Sequence, residues 1–139
     1  MKDLLTGIYT EFTSAPASSF YTKIGGKLYL NEAPSTAVMP YAVYDIVANV
    51  ADENWHTKYE ETTVDFTLYS DSAAGALEIS QMYEGLTEQF DNVGLTVANY
   101  NHIHMQRTNS WLDKIPADVP NKSIWQYVVE YNILTRKTT

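Results

Sequence analysis

The sequence lacks cysteine and is poor in basic residues and in long apolar runs. Without cysteine there is no disulfide framework, thiolate zinc site, iron–sulfur cluster or cysteine nucleophile. The chain has nine Lys and Arg and seventeen Asp and Glu. The resulting net charge of −8 disfavours sequence-independent binding to nucleic acids and binding to anionic membrane surfaces. No apolar run approaches the ~20 residues that span a bilayer, and the first residues lack a signal-peptide core. We therefore expect a protein made in the cytoplasm, with no membrane partner.

Catalytic motifs are also missing. Gly25-Gly26 is not followed by the Gly-Lys-Ser/Thr run of a phosphate-binding loop, and there is no nucleophile elbow. Only two arginines, Arg107 and Arg136, are available for anion recognition, which disfavours phosphoryl transfer. We expect no enzymatic activity and no cofactor.

What the chain does have is length for one core and many aromatic side chains. A chain of 139 residues fits a single domain over residues 1–139, because a chain of about 150 residues buries ~70% of its unfolded surface. Eleven Tyr, three Trp and four Phe suit strands and, where exposed, subunit interfaces.

In the first half of the chain, hydrophobic periodicity predicts one helix and three strands. Apolar residues at helical spacing indicate a helix over 1–15. A short strand over 27–30 and a proline-containing loop over 31–40 follow. A nearly continuous apolar run predicts a strand over 41–50 that is covered on much of both faces, either by helices or by another subunit. Clean alternation predicts another strand over 61–69.

In the second half, a helix and two long strands are predicted. Ser70-Asp71-Ser72 has the side chains of an N-cap, so we expect a helix from about Ser72 to Phe90. Strands over 95–108 and 122–135 flank a loop over 109–121. The order α-β-β-β-α-β-β predicts an α+β domain with a mostly antiparallel sheet and two main helices on one face. The expected buried stripe of the second helix is Ala73, Ala76, Leu77, Ser80, Tyr83, Leu86 and Phe90.

Titratable side chains within the strands have alternative interpretations. His102 and His104 flank one residue of a predicted strand, so they are expected on the same face about 7 Å apart. A metal site would need a third ligand from elsewhere, either His56 or a carboxylate, and surface or interface histidines are the favoured interpretation; we predict no metal. Asp45 and Asp65 are either general bases or charges that discourage wrong edge pairing, and we favour the second.

Exposed aromatic residues indicate an interaction protein. Trp55 and Trp111 fall in predicted loops, where local packing and contact with a partner are equally reasonable. Tyr127 and Tyr131 are expected in the core beneath the helices. The predicted interface residues are Trp55, His56, Tyr69, Trp111, Leu112, Asp113 and Lys114.

Three segments together resemble a known family. They are GGKLYLNEAPSTAVMPYAVYDIV (25–47), VDFTLYSDSAAGALEI (64–79) and SIWQYVVEYNILT (123–135). Their order and spacing, over almost the whole chain, resemble the tail-completion or tail-terminator proteins of long-tailed phages and prophages. Each motif alone serves ordinary turn and capping purposes, so the inference depends on their combination.

The resemblance implies a structural virion protein at the head-proximal end of the tail. It would cap the finished tail tube as a hexameric ring, contact the tail-tube and head-connector proteins, and let DNA pass without sequence-specific binding. The hairpin around Trp55 and the 109–121 segment would then project toward these partners. Two alternatives stay open: a head-completion protein on the portal side, and a small ligand- or metal-binding domain using His102, His104 and Asp65.

Overall fold

The structure is a computed structural model that describes residues 2–53, 57–116 and 123–138. Three helices and five strands follow in the order α-α-β-β-β-α-β-β, which is the expected order with one short helix added. They are α1 (Lys2–Ser14), α2 (Ser19–Ile24), β1 (Leu28–Leu30), β2 (Tyr41–Glu53), β3 (Lys58–Ser70), α3 (Leu77–Phe90), β4 (Tyr100–Pro116) and β5 (Ser123–Lys137).

The five strands form one sheet in the order β1-β2-β3-β5-β4. β1 pairs with β2 in parallel, and every other neighbouring pair is antiparallel. The last strand in sequence, β5, lies between β3 and β4. The α+β class and the mostly antiparallel sheet are therefore confirmed.

The helices cover one face of this sheet and build the hydrophobic core with it. The alternation predicted for β3 is confirmed, because Val64, Phe66 and Leu68 are fully buried against the helices. On α1, Ile8 and Phe12 are also fully buried, as the helical spacing predicted. Burial of each such side chain contributes about 1.5–3 kcal/mol relative to exposure.

Two glycines permit close contacts between the helices and their surroundings. A Cβ atom on Gly7 of α1 would lie 2.7 Å from the backbone oxygen of Thr96. A Cβ atom on Gly85 of α3 would lie 2.7 Å from the backbone nitrogen of Phe20, in α2. Both distances are shorter than real Cβ atoms tolerate, so the absence of a side chain sets how closely these elements approach.

Helix α3 begins five residues later than predicted, at Leu77. The Ser72 hydroxyl accepts a hydrogen bond from the Ala74 N–H, which closes a local turn, and the Ser70 hydroxyl donates to Glu78 Oε1 (2.6 Å). These serines therefore do not cap the helix where the sequence predicted, because their side chains bond to nearby groups instead.

The buried stripe predicted for this helix is also largely wrong. Of the seven predicted residues only Leu86 and Phe90 are buried, while Leu77 is 60% exposed. Packing against α2 and the sheet selects a different face of the helix, and Gly85 is part of it because α2 approaches there. The buried residues are Ile79, Met82, Gly85, Leu86 and Phe90.

The segment predicted as a loop over 109–121 is strand as far as residue 116. β4 pairs with β5 from Tyr100 to Pro116, and shifts register twice on the way. Polar composition and a proline argued for a loop, but an edge strand tolerates both because one side of its backbone faces no other strand. The predicted strand start at Leu95 is also wrong, since β4 begins at Tyr100.

Strand β2 extends well beyond its short neighbour β1. β1 pairs only with residues 42–44, and residues 47–53 are exposed. Beyond Ile46 no described helix of this chain covers β2, so cover of that part by another subunit stays a prediction. The exposed part pairs with the first half of β3, which pairs with β5 on its other side.

Candidate interaction surface

The sheet face turned away from the helices carries an ordered set of polar, aromatic and acidic side chains, which we call the open face. Paired residues on neighbouring antiparallel strands share a face, so the strand register aligns these side chains in rows. Three consecutive rows are Tyr41, Tyr69, Gln126 and Asp113; Val43, Thr67, Val128 and Trp111; and Asp45, Asp65, Glu130 and Asn109.

The third row places three carboxyl groups side by side, and we call Asp45, Asp65 and Glu130 the carboxylate row. Asp65 pairs with Asp45 on β2 and with Glu130 on β5. Burial, followed by the charges of Glu130 and Asp45, raises the pKa of Asp65 from 3.8 to about 6. Burial also raises the pKa of Asp45. Like charges directly opposite each other destabilise a sheet, so this row opposes folding of the isolated chain.

No cation offsets these charges within the described parts of the chain. There the ion pairs join Lys58 to Glu53 (3.9 Å) and Arg107 to Asp91 (3.3 Å), and neither reaches the carboxylate row. Asp65 Oδ1 is shielded from solvent and accepts no hydrogen bond, whereas a side-chain hydrogen bond with Glu130 is one of the causes that raise the pKa of Asp65. Thr108 does donate a hydrogen bond to Glu130 Oε1 (3.0 Å). The row is thus partly dehydrated and electrostatically unbalanced.

The rows beside the carboxylates are aromatic and aliphatic. The rings of Tyr41 and Tyr69 lie 5.1 Å apart between centroids. Val43 and Val128 are only 8% and 7% exposed although no helix covers this face, while Trp111 is 40% exposed at the outer strand. A carboxylate row next to accessible aromatic rings is a combination that can receive a Lys or Arg side chain.

The structure brings together three of the seven predicted interface residues. Tyr69, Trp111 and Asp113 share the open face, and Gln126 Nε2 donates a weak hydrogen bond to the Tyr69 hydroxyl (3.4 Å). Their role in an interface stays a prediction. Leu112 and Lys114 lie on the other face of β4. Trp55 and His56 lie outside the described residues.

The two residues on the other face have local contacts. Leu112 pairs with Tyr127, and the Lys114 ammonium lies 5.6 Å from the centre of the Trp125 ring. A cation above an aromatic face is favourable, so Lys114 is partly engaged within its own chain. The end of the β4–β5 hairpin therefore presents different side chains on its two faces.

The two strand histidines do not share a face. β4 bulges at Ile103, so that His102 pairs with Thr135 and His104 with Leu134, which point to opposite sides of the sheet. Burial lowers the pKa of His102. Among residues 2–53, 57–116 and 123–138, no group of three His, Asp or Glu side chains is arranged to hold a metal ion.

A polar network on the helix side was not predicted from the sequence. The buried Tyr131 hydroxyl donates to Asp91 Oδ1 (2.6 Å), and Asp91 pairs with Arg107, which also bonds to the Tyr83 hydroxyl. The Tyr83 ring stacks on Tyr127 at 4.4 Å. Burial, then the bond to Asp91, raises the pKa of Tyr131. This network fastens the end of α3 to β4 and β5.

Most of the polar side chains of the open face come from positions that are far apart in sequence. Asp45, Asp65 and Glu130 are adjacent only because β5 lies next to β3. The sequence marks the two aspartates as strand residues, but only the register shows that Glu130 joins them.

None of the helices in the described residues is long and apolar enough to cross a membrane.

Comparison with known proteins identifies the fold. No family model and no curated protein matches the chain. A chain from the virion of a native gene transfer agent particle is similar in structure, with a TM-score of 0.67 over 93% of this chain and 92% of that one, at 8% identity. A second solved protein, which carries no functional description, gives a TM-score of 0.55 over 95% and 94% of the two chains, at 10% identity. At these identities the likeness shows a shared fold.

Proposed function

We propose that the protein is a structural component of a virion and, within it, a tail terminator. It caps the completed tail tube as a ring of six copies and forms the surface that joins the tail to the head connector. It performs no catalysis in this role. The partners are other copies of the chain, the tail-tube protein and a connector protein.

The observation that carries the proposal is the fold likeness over nearly the full length of both chains. A chain of a gene transfer agent virion shares this arrangement across 93% of the present chain. The sequence resemblance to tail-completion proteins rests on three separate segments and does not depend on that likeness. The two observations support the same class of protein, and the role at the end of a tail rests on the resemblance.

Unpaired strand edges support ring assembly. A ring of identical subunits needs two different patches that complement each other. On the side away from β3, no described strand neighbours β2 beyond the residues that pair with β1, and β4 is the outermost strand on the opposite side of the sheet. Strand edges of this kind readily pair with another chain. Each subunit therefore offers one candidate edge to each of two neighbours.

The acidity of the chain suits a channel for DNA. Six copies, each of formal charge −8, would carry about −48. A lumen of that sign would repel phosphate groups and let DNA slide without sticking. A ring whose lumen proved basic would contradict this part of the proposal.

The oligomeric state tests the proposal directly. Size-exclusion chromatography with light scattering is expected to give six times the chain mass of 15.7 kDa, or a monomer that forms rings when isolated tail tubes are added. Electron microscopy should then show the ring at one end of each tube. The proposal would be overturned if the protein stayed monomeric at every concentration, did not bind tail tubes, and retained a metal or small ligand after dialysis.

Labelled protein distinguishes the tail terminator from the head-completion alternative. Tails and DNA-filled heads are isolated separately, and each is incubated with gold-labelled protein. A tail terminator is expected to mark the head-proximal end of the tails. Label found only on the portal vertex of heads would assign the protein to head completion instead.

A further inference from the structure

We propose that the open face docks a basic surface of another protein, whose Lys or Arg side chains lie against the carboxylate row and the neighbouring aromatic rings. The partner is defined by its chemistry: exposed cations flanked by apolar groups. The inference does not require a ring, so it stands or falls separately from the tail-terminator proposal.

The first step concerns why the carboxylate row exists. Charges on edge strands prevent unwanted pairing, but Asp65 and Glu130 lie on β3 and β5, which have a neighbouring strand on both sides. Protection of an edge therefore does not explain these two residues. They are not ion-paired within the described chain either, and their mutual repulsion destabilises it. A cationic partner would remove that repulsion.

The second step concerns the aromatic residues beside the row. Trp111 and Tyr69 lie on strands that flank β5, one or two rows from Glu130. Arginine combines a fork of donors that matches carboxylates with a flat surface that stacks on aromatic rings. Val43 and Val128, between the rings and the carboxylates, are almost fully buried and supply little contact surface. The open face thus offers charge and ring faces within a few strand positions.

The third step separates a different protein from a second copy of this one. The chain has only nine Lys and Arg, and several are engaged locally. Lys58 and Arg107 are ion-paired, Lys114 lies over Trp125, and Lys23 donates to Gln81. A chain with a surplus of acid is a poor source of the complementary charge, so charge complementarity favours a basic protein.

A peptide-binding experiment tests the proposal. The probe is a fluorescein-labelled ten-residue peptide of alternating arginine and valine, and the readout is fluorescence anisotropy with the full-length protein at pH 7.5 and low salt. The doubly substituted protein Asp65→Asn/Glu130→Gln is expected to bind about tenfold more weakly than the unaltered chain. A peptide of alternating glutamate and valine should not bind.

The matched control removes the same charge elsewhere. Glu84→Gln/Glu88→Gln alters two exposed carboxylates on α3 and leaves the open face intact. Its affinity is expected to stay within about twofold of the unaltered chain. Equal weakening of both double variants, or no measurable binding by the unaltered chain, would overturn the proposal. A changed oligomeric state confined to the open-face variant would assign the face to a second copy and also overturn it.

A pH series adds a readout that general charge attraction would not reproduce. The carboxyl groups that face Asp65 are Asp45 from β2 and Glu130 from β5, β4 adds the uncharged Asn109 to the row, and none of the described helices packs on this side. Peptide binding should weaken between pH 7.5 and pH 5 as Asp65 takes up a proton, while the arginines stay charged. The open-face double variant should lose most of this dependence, and an identical pH profile in both proteins would contradict the assignment.

Discussion

Replacement of Asp65 by asparagine should make the protein more stable at neutral pH. Asparagine keeps the size of the side chain and removes the charge that Asp45 and Glu130 oppose. A pKa raised from 3.8 to about 6 corresponds to about 3 kcal/mol if the whole shift reflects folding. Asp65 is only half-buried, so solvent screening reduces the expected gain to about 1–1.5 kcal/mol.

The sign of the pH dependence follows from proton binding. Between pH 4 and pH 6 the folded chain holds a proton on Asp65 that the unfolded chain has released. The free energy of unfolding contributed by this group is therefore fully present below the unfolded pKa and is lost as the pH rises toward 6. Asp65→Asn should remove that fall, so its advantage grows from near zero at pH 4 to its full value above pH 7.

Urea denaturation at pH 4 and at pH 7.5 measures the effect, with the protein concentration fixed so that any assembly contributes equally. Glu88→Gln, on the exposed side of α3, is the control and should change stability by less than about 0.5 kcal/mol at both values. A variant less stable than the unaltered chain at pH 7.5, or equally stabilised at both pH values, would refute the assignment of strain to the carboxylate row.

Two further substitutions test the packing that positions this face. Tyr131→Phe removes the buried hydroxyl that donates to Asp91 and should lower the free energy of unfolding by about 1 kcal/mol in urea denaturation, while an unchanged midpoint would show that the bond contributes nothing. Gly85→Ala forces a methyl group against the backbone of Phe20 and should cost about 1–3 kcal/mol by the same measurement. Gly94→Ala, where a Cβ meets nothing within 4 Å, is its control and should stay within about 0.5 kcal/mol; equal losses in the two alanine variants would contradict the close contact of α2 and α3.

Local patterns predicted the elements whose side chains repeat regularly. The alternation of Val64, Phe66 and Leu68 predicted the buried face of β3, although the strand begins at Lys58, three residues before the predicted start. The stripe through Ile8 and Phe12 predicted both the extent and the buried face of α1. In both segments the apolar residues recur at the spacing of the strand or helix that forms, so a short window of sequence is enough to predict which face is buried.

Other features depended on contacts that no short window contains. Residues 109–116 have the composition of a loop but pair with β5, and the face of α3 that becomes buried is chosen by α2 through Gly85. The open face was found only in part for the same reason. Tyr69 and Trp111 were recognised singly as aromatic surface residues, while the alignment of Asp65 with Glu130 requires the register between β3 and β5.

The position of β5 in the sheet has a consequence for biosynthesis. Its pairing joins Tyr59 to Arg136 and Ser70 to Trp125, so the central strand pair closes over a long stretch of chain. Until residues 123–137 have left the ribosome, β3 and β4 each lack their common neighbour, and the core stays open on that side. A translation product truncated before Ser123 should therefore aggregate or be degraded rather than accumulate. Without β5, neither β3 nor β4 has its central neighbour in the sheet.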